Sequence, residues 1–142
     1  MQPTARLAAT IIGLALGAAA LPVAAHHSFA MFDSGHQVTW TGTVVEFRWV
    51  NPHTFVIIDV PRTREHPELA GRWSIEGASP NIMSRQGWRR NTFGPGDAIT
   101  IVGYPMRDGS KGGSLYYAIG PNGQRLYHDV NRDGGPAGGR GG

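Results

Sequence analysis

The stretch Thr41–Val60, TGTVVEFRWVNPHTFVIIDV, constrains this chain more than any other. Val, Thr, Phe, Trp and Ile dominate it, and such residues suit a pleated, half-buried surface. Asn51-Pro52-His53 interrupts it. Proline fixes φ and drives its predecessor out of the helical region, so this tripeptide predicts a tight turn between two strands. The first strand, Gln37–Val50, carries Val38 and Trp40 on one parity and Val45, Phe47 and Trp49 on the other. Its buried face therefore changes near Gly42–Val45. A strand that does this needs a bulge or a sharp coil, and Gly42 is the natural place for it. A bent first strand that serves both halves of a sheet is what a small closed barrel requires.

The remaining elements agree. Thr54–Val60 is apolar on both faces, so something must cover its outer side. Pro61–Gly71 reads as a polar loop and Arg72–Glu76 as a short third strand. Ser79-Pro80 opens a short helix over Pro80–Gln86, with Ser as N-cap, Pro at the first helical position and Gly87 as terminator. Trp88 and Phe93 are expected to pack under the sheet. Ala98–Tyr104 and Leu115–Ile119 are the fourth and fifth strands, joined by a glycine-rich hairpin loop, and Arg125–His128 adds a few extended residues. Five strands with one helix between the third and fourth is the order of an OB-like Greek-key barrel. The fold class is thus all-β, with a small open sandwich as the alternative.

Residues 1–25 have the form of a cleaved secretory signal: Arg6, then the apolar run Leu7–Leu21, then small residues ending at Ala25. The run is shorter than the roughly 20 residues a membrane-spanning helix needs. Cleavage there leaves His26–His36 as a leader arm, residues 37–130 as the barrel and residues 131–142 as a glycine-rich tail expected to be disordered. The expected location is the periplasm, free of the membrane. The chain has no cysteine, which excludes disulfides, thiolate metal sites and thiol nucleophiles. The formal charge is +3 and Lys111 is the sole lysine, too little basic character for nucleic acid.

The motifs His26-His27-Ser28-Phe29-Ala30, Phe32-Asp33, Gly42-Thr43-Val44, Asn51-Pro52-His53, Ser79-Pro80-Asn81, Gly87-Trp88, Pro95-Gly96-Asp97, Gly103-Tyr104-Pro105 and Asp108-Gly109 occur in this order. Taken together, they resemble an uncharacterised family of bacterial exported proteins known only as a domain of unknown function. The resemblance covers nearly the whole mature domain. It implies a periplasmic β-barrel and little chemistry.

The sharpest local feature is His26-His27 at the expected new N-terminus. A freed α-amino group and the His26 imidazole chelate one metal ion from a single residue, and His27 adds a nitrogen beside them. Amine and imidazole nitrogens suit Cu(II) best among the common divalent ions. A third ligand would come from the fold, with His53 and His36 the foremost candidates and His128 and Asp33 behind them. A straight first strand would span roughly 43 Å. The leader reaches at most about 36–40 Å. His26 therefore meets His53 only if the leader follows the barrel or the strand coils strongly. The plain alternative for His53 is a turn residue bonded to local backbone.

No acid/base pair, nucleophile elbow, zinc-protease helix or phosphate loop stands in the sequence. The first expectation is a non-enzymatic binding or accessory module for a protein partner or small ligand. Its expected contact residues are Asn51, His53, Arg89, Arg90 and Asp108. The alternative is a Cu(II)-binding protein using His26 and His27, and a copper-dependent redox enzyme comes third.

Overall fold

The computed structural model describes residues 29–128. The signal-type segment, His26–Ser28 of the leader and the tail beyond residue 128 lie outside the described residues. Six strands and one short helix make up the body: β1 (Val38–Arg48), β2 (Phe55–Val60), β3 (Gly71–Glu76), α1 (Pro80–Arg85), β4 (Ala98–Pro105), β5 (Gly112–Ile119) and β6 (Arg125–Tyr127). β1 pairs antiparallel with both β2 and β4, β2 with β3, and β4 with β5. A parallel pairing of Ser74–Glu76 with Gly112–Ser114 joins β3 to β5 and closes a five-stranded barrel. The first half of β5 serves that closure, and its last residues, Tyr117–Ile119, pair with β6. The open sandwich is excluded by the β3–β5 seam.

β1 carries the expected change of face. Trp40 and Val44 are buried, and beyond Val45 the odd-numbered Phe47 and Trp49 turn towards the core. The register with β2 runs Val44 to Ile58 and then Glu46 to Ile57, so Val45 is the extra, bulged residue. The bulge lies three residues beyond Gly42, which has a different task. A Cβ on Gly42 would overlap the Asp59 carbonyl oxygen and come within 3.2 Å of Val60 Cα. Gly42 lets the backbone of β2 cross close to β1, and Val45 makes the turn of phase.

The barrel interior is filled by Trp40, Val44, Val56, Ile58, Ile75, Ile101 and Leu115, each at most 2% exposed. Full burial of such side chains stabilises by about 1.5–3 kcal/mol apiece relative to exposure. One end is plugged. Ser79 accepts a hydrogen bond from Ile82 N and Pro80 opens the helix, as the N-cap pattern predicts. α1 contributes Met83 to the core, and Gly87 (φ +91°) releases the chain after the Gln86 cap. Trp88 and Phe93 then meet edge to face with centroids 5.5 Å apart. The Trp88 indole N–H donates to Tyr127 O at 2.8 Å, which ties the plug to β6.

The leader is pinned at the other side. Phe32 is 3% exposed and bridges Met106. Asp33 N donates to Pro105 O, Arg107 N to Met31 O and Arg107 Nε to Phe32 O, at 2.8–2.9 Å. Phe32 is therefore an anchor as expected, whereas the Met31 side chain is largely exposed. The described part of the leader extends the line of β1 past the end of β4 and along the β4–β5 loop.

Candidate functional site

The chain leaves β1 and reverses through Asn51, Pro52 and His53. Thr54 staples this turn to the far end of β3. Its N and Oγ1 both donate to Ala78 O at 3.1 Å, and its carbonyl accepts from Gly77 N at 2.8 Å. Register then decides what His53 meets. Phe55 stands opposite Glu76, so the residue two positions earlier falls beside the Glu76 carboxylate. His53 Nδ1 and Glu76 Oε1 are hydrogen-bonded. The pair is sheltered rather than buried, with side chains 36% and 20% exposed. A carboxylate on Nδ1 fixes the ring and leaves Nε2 as the nitrogen available to a ligand. The bland expectation that His53 bonds only to its own turn is thus replaced by a tertiary contact.

Glu76 also borders a groove of about 250 Å³ on the outer wall of the barrel. Phe55 and Ser74 form its base in β2 and β3. Met31 and Phe32 of the leader and Met106 of the β4–β5 loop wall it, and Ser110–Gly113 closes the rim. This is what covers part of the outer face of β2, as its two-sided apolar pattern demands. The loop is shaped by Asp108, whose Oδ1 accepts from Ser110 N at 2.9 Å, and by Gly109 at φ +77°. Hydrogen bonding from the Ser110 side chain, with its backbone N–H second, holds the Asp108 carboxyl below the usual aspartate range. Asp108 is a turn-former beside the groove rather than part of its lining.

The other expected site residues lie elsewhere. Arg89 and Arg90 follow α1 at the plugged end. Arg89 Nη1 donates to Ser84 O and Trp88 O at 2.9 and 2.8 Å, so its guanidinium caps one carbonyl of α1 and binds its own neighbour's. His36 precedes β1 and lines a cavity at the opposite end of the barrel together with His66. His36 and His53 therefore flank β1 from its two ends. Among the described residues no group of three or more His, Asp or Glu side chains converges as a metal site. His26 and His27 lie outside the described residues.

Sequence reasoning named His53 and missed its partner. His53 and Glu76 are 23 residues apart, and no local spacing signals the pair. Only the β2–β3 register brings them together.

No curated protein and no solved structure matches the chain. A family match, by contrast, runs over residues 14–115, from before the leader to the middle of β5 and so across the His53–Glu76 pair and the groove. The motifs noted in the sequence fall within that span, and the chain belongs to the DUF6152 family, a family of unknown function.

Proposed function

We propose that this chain is an exported, non-catalytic binding module whose ligand or partner sits on the groove face, against Phe55, Ser74 and Glu76. One observation carries the reading: the start of β2, the end of β3, the β4–β5 loop and the leader, four separate parts of the chain, meet around one concavity, and its Glu76 holds the half-sheltered His53 imidazole. Apolar walls with a few convergent polar groups are the usual make-up of a binding site. The test is a fragment screen by ¹⁵N–¹H NMR with a library of small amines, carboxylates and imidazoles. Saturable shifts should cluster on Phe55, Ser74, Glu76 and Gly112–Gly113, and His53→Ala should weaken them. Shifts scattered over the barrel, or unchanged in that variant, would remove the proposal.

A second reading is favoured by the course of the leader. The Phe32–Met106 bridge seats the described start of the chain against this same groove. His27 is only two residues before Phe29, within about 7 Å of it along the chain. A mature N-terminal His26-His27 would then carry an amine and two imidazoles, a donor set suited to Cu(II), within chain reach of the groove bordered by Glu76, the partner of His53. Mass spectrometry of the exported protein and Cu(II) titration of His26→Ala, His27→Ala and His53→Ala test it together. A first residue other than His26, or equal affinity in all variants, ends the copper reading and leaves the module reading intact.

A further inference from the structure

A further cavity of the barrel lies away from the groove. It opens at the end opposite α1, where β1 and β3 begin and β2 ends, and measures about 780 Å³. That is within the usual range for a small-molecule site. Its floor continues the hydrophobic core: Val60 and Trp73 belong to the core, and Val38 and Leu69 pack against it. The Trp73 indole N–H is already satisfied by Leu69 O at 2.7 Å, so the ring offers the cavity apolar surface without an unmet donor.

The charged side chains that line the cavity are acidic, while cations stand just outside the lining. The ionised groups lining the cavity are the carboxylates of Glu65 and Glu68, and the imidazoles of His36 and His66 stand beside them. No Lys or Arg lines it. Arg62 and Arg64, on the same loop, border a separate depression with Thr63 and Pro67. Lys111 lines the groove described above, and its ammonium donates to the Glu68 carbonyl at 3.3 Å. Glu68 is held in place, with Oε1 bonded to His66 Nδ1 at 3.2 Å. The Lys111 ammonium stands 5.0 Å from the Trp73 ring centroid, so this indole already has its cation and offers a ligand only apolar surface.

We infer that this mouth is a second ligand site, distinct from the groove, and that it takes a small organic monoamine. The ring or branched alkyl body sits on Val38, Leu69 and Trp73, and the ammonium faces Glu65 and Glu68. An anionic head on the same body meets like charge at the rim and is discriminated against.

The test uses the full exported chain, ¹⁵N-labelled, with three matched probes: 2-phenylethylamine, 2-phenylethanol and 3-phenylpropionate. The amine should shift Val38, Leu69 and the Trp73 indole N–H saturably, with a dissociation constant about fivefold below that of the propionate at low salt. The double variant Glu65→Gln/Glu68→Gln, both positions exposed, should bring amine and propionate within about twofold while the alcohol is unaffected. The inference is overturned by absence of saturable shifts at millimolar probe, by a propionate that binds as well as the amine, or by amine shifts that map to Phe55, Ser74 and Gly113. That last pattern would support the groove reading, so the two proposals fail separately.

Discussion

Closure of the barrel depends on β2 crossing β1 at a point where only glycine fits, and Gly42→Ala tests this directly. The added Cβ would overlap the Asp59 carbonyl oxygen and stand 3.0 Å from its carbon and 3.2 Å from Val60 Cα. All three atoms are backbone, so no rotamer change relieves the contact. Asp59 is fixed on both sides, opposite Thr43 in β1 and Arg72 in β3. Relief therefore requires moving a strand held by two ladders, and overpacking of this kind costs about 1–3 kcal/mol. Loss of glycine freedom in the unfolded chain returns about 0.4–1 kcal/mol. A net loss of about 1–2 kcal/mol is expected, with a melting temperature lower by roughly 4–8 °C per kcal/mol for a domain of this size. Gly94→Ala is the control, since a Cβ there meets nothing within 4 Å and the backbone is not left-handed. Urea unfolding of both variants, read by tryptophan fluorescence, decides the matter. If Gly42→Ala lies within about 0.5 kcal/mol of Gly94→Ala, the close crossing is not what holds β1 and β2 together.

Phe32→Ala removes the leader's buried anchor and should cost about 3 kcal/mol, at the low end for such truncations. Hydrogen exchange should show the Asp33 and Arg107 amides losing protection while Ile101 keeps its own. Trp88→Ala empties the plug and strips a donor from Tyr127 O, with an expected loss of about 3–5 kcal/mol by chemical denaturation. Asp59 bears on pH. Its hydrogen bonds from Arg72, at 2.8 Å, hold the carboxyl below the ordinary aspartate range. The folded state thus favours the ionised form. The benefit is present above the unfolded-state pKa and is lost as pH falls through the folded one. Asp59→Asn should flatten the acid limb of a stability–pH curve and merge with wild type at its acid end, and a variant with an unaltered acid limb would contradict the assignment.

The barrel was legible because its signals are periodic. The change of apolar parity along β1 announced a bent strand, and Ser79-Pro80 announced the one helix. The bulge position was less legible. Glycine marks both bulges and close backbone approaches, and Gly42 is the second while Val45 is the first. The site was less legible still, because strand pairing across a long loop assembles it. Nothing near Glu76 in the sequence distinguishes it from Glu46, which pairs with Arg48 on the outer surface. The cavity at the barrel mouth was hidden for the same reason: Val38 reads as a strand residue and Leu69 as part of a polar loop, and only closure brings them together at a core that opens outward.

Strand polarity carries one consequence for the copper reading. β1 runs from the open mouth towards the plugged end, so His36 and His53, which flank it, stand at its two ends. His36 lines the mouth with His66, and His53 faces Glu76 beyond the end of β1. A mononuclear site requires every donor nitrogen within about 2.0–2.1 Å of the metal, so it cannot draw on both. The leader anchor resolves which one is left. Phe32 is bound at Met106, and Met31 and Phe32 line the same groove as Glu76. If His26 and His27 recruit a ligand from the fold, His53 is the imidazole in position to serve. His36→Ala should then leave Cu(II) affinity within about twofold of wild type, while His53→Ala lowers it by at least about tenfold, the scale expected for loss of a coordinating group or its support. Titration followed by electron paramagnetic resonance separates the two, since loss of a coordinated imidazole alters the nitrogen hyperfine pattern. The reverse result would mean that the leader turns back along β1 to the mouth, against the direction its hydrogen bonds to Pro105 and Arg107 impose.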